Sequence, residues 1–225
     1  MRNVVDYAKA IKDIVYIITQ EEVLLDTEVK VDDICGEFAF EIESVTSMKD
    51  ITIYVPDEYN ELDEHDIFIL DYINELYGLE LEGVYDNCLF AILHEIGHII
   101  DYSKRNKWGK IGKAVIKRYS KKDNRMKNKL EHEYYSDMCA IEFALDNLYT
   151  KRREIRRERG VLDMEYNIIT KEINKLYKAK IELEREMSYN YRQVTTEYEA
   201  DKWAAMMLKN YGTEIRNYLT ALEMI

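Results

Sequence analysis

The sequence predicts an α+β protein that is mostly helical, with a small sheet and a long helical hairpin inserted into it. Three observations carry this. Only 1 proline and 8 glycines occur in 225 residues, too few for the many tight turns of a sandwich or barrel. Apolar residues recur at helical spacing through most of the chain, and only two short runs read as strands. At 26.9 kDa and 47% hydrophobic residues, the chain can bury one sizeable core or two small ones, which excludes wholesale disorder.

Residues 3–19 place Val4, Val5, Ala8, Ile11, Val15 and Ile18 on one face, the mark of an amphipathic helix. The run Glu37–Glu43 alternates strictly, with Phe38, Phe40 and Ile42 on one side, as a half-buried strand does. Ile51–Val55 is a β-branched and aromatic run stopped by Pro56, hence a second strand. One of these two strands, Ile51–Val55 before the other, is expected to hold an extended substrate by edge pairing. Helical spacing returns over 65–77 through Ile67, Leu70, Ile73 and Leu76, and Gly78 suits a C-terminal cap. Asp86 is the expected N-cap of the next helix, from about Asn87 to about Lys104.

From Tyr134 a heptad seam runs through Met138, Ile141, Leu145 and Leu148 and, past Arg152, Ile155, Arg159 and Leu162, on to Met187. Gly160 follows a basic stretch suited to a helix C-terminus, so the seam predicts a hairpin rather than one long helix. Its apolar face is expected to pack mainly on itself, so that replacing roughly residues 150–190 by a short Gly-Ser bridge costs the core little. A last helix is expected to start near Thr195 or Thr196 and end at Gly212, with a short one after it. The domain organisation expected is one domain over 1–225, with 105–193 a helical elaboration.

Charge is unevenly spread. Residues 1–101 hold 25 acids against 5 bases, and residues 102–225 hold 19 against 27, which together give the net −12. Such asymmetry marks either a charged partner or two halves that attract each other, and the second is the reading expected here. Residues 102–129 alone hold 12 Lys and Arg opposed only by Asp123. A nucleic-acid-associated regulator using that segment is one alternative function, but the net negative charge opposes it. No stretch approaches the roughly 20 apolar residues that span a bilayer. Asp6, Lys9, Lys12 and Asp13 interrupt any secretion-signal core, and Cys35, Cys88 and Cys139 form no CxxC pair. The expectation is a cytoplasmic protein with reduced, mostly buried thiols and no membrane partner.

The chemistry sits in His94-Glu95-Ile96-Gly97-His98. Two histidines four apart on a helix point the same way, so both imidazoles can reach one metal ion, and the glutamate between them can act as general base on a water. Ala91-Ile92-Leu93 before the motif and Ile99-Ile100 after it are uncharged, as a buried catalytic helix requires. One zinc ion per chain is the expected cofactor, and it needs a third ligand. Asp101 and Lys104 stand where the HExxHxxGxxH pattern has its glycine and its third histidine. Glu197 and Asp201 lie four apart on a helical face flanked by Ala200 and Ala204, whose small side chains allow close approach. Glu197 is the expected ligand and Asp201 the acceptor for a histidine N–H. Glu199 points about 200° away. Glu133 with Asp137 has the same spacing and is the rival. His132 and Tyr191 are candidates to donate a hydrogen bond to an oxyanion. The Gly-Ser bridge in place of roughly residues 150–190 is expected to spare zinc binding.

HEIGH on a buried helix with a downstream ExEADxWA resembles the gluzincin zinc peptidases, and most nearly the ImmA/IrrE-like family. The two motifs cover about thirty residues. The resemblance implies a zincin-like fold and zinc-dependent hydrolysis of peptide bonds in an intracellular protein substrate, often a regulator or repressor. It implies zinc binding by His94, His98 and Glu197 and general-base work by Glu95. Ninety-eight residues separate His98 from Glu197, so a helical insertion lies between the two motifs. The alternative from another class is a non-catalytic protein-interaction module that keeps a metal for stability only.

Overall fold

The computed structural model describes residues 3–32, 37–44, 48–161 and 163–225. Its elements in chain order are α1 (Val4–Thr19), a 3-10 turn (Glu22–Leu24), β1 (Thr27–Val31), β2 (Ala39–Ser44), β3 (Lys49–Val55), α2 (Glu64–Tyr77), α3 (Gly83–Lys107), α4 (Gly109–Glu158), α5 (Met164–Arg192) and α6 (Thr195–Ala221). The protein is therefore mostly helical with a small mixed sheet, as expected. Among the described residues, no helix is long and apolar enough to cross a membrane.

The Asn3 side chain accepts the Asp6 N–H at α1's start, and Gln20 ends it in the left-handed region. The sheet order is β1-β3-β2, with β1 parallel and β2 antiparallel to β3. This corrects the expectation for Ile51–Val55. β3 is the central strand, both of its edges are occupied, and Ile51, Ile53 and Val55 are fully buried. Among the described residues the two edge strands are β1 and β2, and edge pairing is open to them instead. β1 was not anticipated: in Thr-Glu-Val-Lys-Val only Thr27 and Val29 are buried, too faint an alternation to stand out.

Asp63 and Asp66 close a reciprocal capping box at the start of α2, and Gly78 ends it at φ 60°. Helix α3 starts at Gly83, four residues before the expected position. Asp86 is not its N-cap but lies in its first turn, where the carboxylate accepts the Glu82 N–H at 3.0 Å and pairs with Arg216 at 2.9 Å. From Asn87 to Ile100 all but Ala91 are buried, and each large apolar side chain contributes roughly 1.5–3 kcal/mol by leaving water. Helix α6 does not stop at Gly212 but runs through it. Leu208, Ile215 and Leu219 are buried on either side, and their packing outweighs the roughly 1 kcal/mol that glycine costs a helix.

The chain divides into two compact units, one comprising Met1–Asp123 with Val194–Ile225, the other Asn124–Gln193. The boundary falls inside α4 rather than at residue 105. The first unit packs α1, α2, α3 and α6 with the sheet around a single core that includes Ile11, Ile53, Ile73, Leu93, Ile96 and Met207. Within it Lys104 and Lys107 reach Glu21 at 3.3 and 3.5 Å, an attraction between basic segment and acidic half of the kind expected.

The second unit is the hairpin predicted from the seam. Gly160 makes the turn at φ 85°, Asp163 caps α5, and Leu145, Ile155, Ile169 and Ile173 form its own small core. Leu162 and Cys35 lie outside the described residues. Of the other cysteines, Cys88 is buried and Cys139 is exposed.

Tyr134 donates to Glu186, and Lys180 and Lys151 pair with Glu142 and Glu165. This register means that excising 150–190 would leave ends about 27 Å apart, at 1.5 Å of rise per residue. A cut from 143 to 179 instead joins positions already opposite each other and removes the whole satellite core. That deletion, closed with a short Gly-Ser turn, is expected to leave the first unit's Tm within about 4 °C, roughly a 1 kcal/mol change. Calorimetry checks it, and loss of the folding transition would show that the hairpin supports the main core.

Candidate metal centre

Two helices build the site. The four-residue spacing on α3 stacks His94 and His98 one turn apart, and the same spacing on α6 puts Glu197 and Asp201 on one face. The helices meet where side chains are small. A Cβ built on Gly97 would stand 3.1 Å from the Ala200 carbonyl oxygen and 3.2 Å from the Trp203 ring, and Ala200 and Ala204 are buried. Gly97→Val is expected to push α6 off α3 and destabilise the protein by about 1–3 kcal/mol, as overpacking does. Chemical denaturation measures this, and an unchanged midpoint would mean the crossing has slack.

Three ligand atoms converge there. The Nε2 atoms of His94 and His98 are 3.1 Å apart, and Glu197 Oε2 lies 3.3 Å from the first and 3.4 Å from the second. All three side chains are buried. Tetrahedral donors bound at 2.0–2.1 Å to one zinc ion would stand about 3.3 Å from one another. The triangle therefore fits a shared ion. His94 Nδ1 donates to Asp201 Oδ1 at 2.7 Å, and the Asp201 side chain is only 1% exposed. That bond fixes the tautomer and turns the lone pair of His94 Nε2 toward the other two donors.

Burial alone would lower the pKa of His94, but the hydrogen bonds it donates to Asp201 and Glu197 outweigh it and hold it up at about 9. Burial would raise Glu197, yet His94 and His98 hold its carboxyl far below the usual range. A proton held by His94 supplies positive charge to these carboxylates, and a divalent cation bound by the same donors would take its place. Glu95 follows His94 on the buried helix and is itself 9% exposed.

The rival ligands are elsewhere. Glu199 is exposed. Glu133 belongs to the second unit, is exposed and pairs with Lys129 at 3.3 Å. His132 is also exposed on that unit, and the Tyr191 hydroxyl there accepts from Lys127 at 2.8 Å. A second group of donors, Asp63, His65 and Asp66, is largely exposed at the start of α2, where both aspartates already serve the capping box.

One residue at the site escaped the sequence reading. Phe40 on β2 stacks on the His98 ring, with centroids 4.8 Å apart and planes at 22°. Its only signal was the alternation that placed it with Phe38 and Ile42 on one side of the strand. Comparison of the chain with family models, curated proteins and solved structures finds no match.

Proposed function

We propose that this protein is a zinc-dependent endopeptidase with a zincin-like arrangement, acting on an intracellular protein. The observation that carries the reading is the buried triangle of His94, His98 and Glu197, with the buried Glu95 next in sequence and acting electrostatically on His94. A structural site closes zinc with four protein ligands, whereas the three donors that converge among the described residues leave a position for water and substrate, which favours catalysis over a purely stabilising role.

His94, His98 and Glu197 would hold the ion, and Asp201 orients His94 through Nδ1. When bound, zinc supplies Lewis acidity to the scissile carbonyl and acidifies a water molecule. Glu95 accepts the proton of the attacking water and delivers it to the departing amine nitrogen as the peptide bond breaks. Phe40 covers one face of the His98 ring and limits its motion. The outer edge of β2 carries no strand among the described residues, and β2 reaches the site through Phe40, so an extended peptide would pair along that edge.

The test is hydrolysis of denatured casein by the purified protein. Activity is expected to vanish with a chelator and return with zinc. Stoichiometric zinc without hydrolysis of casein or of any protein in a cell extract would support the stabilising role instead.

A further inference from the structure

The second unit buries one face of α4 against α5 and leaves the opposite face bare. Cys139, Phe143, Asp146, Thr150, Arg153 and Arg157 are all exposed on it, spaced four and three residues apart in alternation. That is the spacing of a helix–helix seam. Phe143 is 72% exposed, an unusual position for an aromatic side chain. Asp146, Arg153 and Arg157 join no ion pair among the described residues.

Charge along α4 separates in the same region. On the bare face itself Asp146 precedes Arg153 and Arg157, whereas Glu142, Lys151 and Arg159 are already paired with α5 or its cap. An acid followed by bases along one helix face is matched by the same face running the other way. A parallel copy would set acid on acid and base on base.

We propose that two copies of this chain associate through this face, α4 against α4 in antiparallel order, about a two-fold axis at the level of Leu148. In that register Phe143 faces Arg153 of the partner subunit, a cation over an aromatic ring. Asp146 faces Thr150 of the partner subunit, with Arg153 of the partner subunit one turn further. Cys139 faces Arg157 of the partner subunit. Symmetry makes every contact twice, so a modest patch gains from its own repetition. The proposal does not depend on the metal centre.

The test uses the full-length protein in sedimentation velocity over a dilution series. A reversible monomer–dimer equilibrium is expected. Arg153→Glu alone and Asp146→Arg alone should each weaken the dimer about tenfold or more, because each change sets like charges together twice. The two combined in one chain should restore it. All three variants change exposed side chains, and circular dichroism checks that helicity is kept.

Chemical cross-linking fixes the register. Two Cys139 thiols lie 18 residues apart along the antiparallel pair, about 27 Å, while Thr150→Cys brings its thiols within about 6 Å along the axis. In a Cys35→Ser background a short bis-maleimide should therefore join copies carrying Thr150→Cys and not join them through Cys139. A monomer at every concentration, a dimer indifferent to Arg153→Glu, or joining through Cys139 would each overturn the proposal.

Discussion

Glu95→Gln is expected to keep its zinc and lose peptide hydrolysis by about 10²–10⁴-fold, the range over which a positioned base contributes. Glutamine has nearly the volume of glutamate, so the packing of α3, where Ile92, Ile96 and Ile99 are fully buried, should survive. Glu95 is not among the three converging donors, so the metal should stay. Only the proton acceptor is removed. The clearest measurement compares new N-termini in a cell extract treated with either protein, alongside zinc content. Equal turnover by the two would remove Glu95 from the mechanism while leaving the metal centre intact.

The second large effect concerns the ligands. Glu197→Ala is expected to weaken zinc binding by more than about 100-fold, because a donor 3.3–3.4 Å from both imidazole nitrogens is lost. Asp201→Ala should cost about 10–100-fold, the usual effect of a group that orients a ligand rather than binding the ion. Glu199→Ala and Glu133→Ala, both at exposed positions, should leave affinity nearly unchanged. Titration against a competing chelator ranks all four. Loss of the metal in Glu133→Ala with retention in Glu197→Ala would move the third ligand to the shorter-spaced motif.

The site was legible because it is written in local geometry. His94 with His98, and Glu197 with Asp201, each sit four apart, and a helix turns that spacing into a shared direction whatever surrounds it. The flanking small residues also showed where two helices can touch. What the chain conceals depends on partners. That β3 is central follows from Thr27–Val31 and Ala39–Ser44 lying on its two sides, and no property of Ile51–Val55 alone distinguishes a middle strand from an edge. Gly212 has the residue type of a helix end, yet buried neighbours carry the helix across it. Asp86 has the chemistry of a cap but serves one turn inside, reaching back to Glu82. Phe40 was placed correctly on its strand face, but its ring partner lies 58 residues away on another element.

The separation of the two ligand helices along the chain also sets a timetable. At about 5–20 residues per second of synthesis, Glu197 is made roughly 5–20 s after His98. Sheet, α1, α2 and α3 precede it in the chain, and the local contacts of the α4–α5 hairpin can form during the wait, since short-range helical contacts form fastest. Until α6 arrives, His94 and His98 are present without Glu197 or the acceptor for His94 Nδ1. A nascent chain therefore passes through a two-histidine stage, and the three candidate donors come together only when the last helix docks.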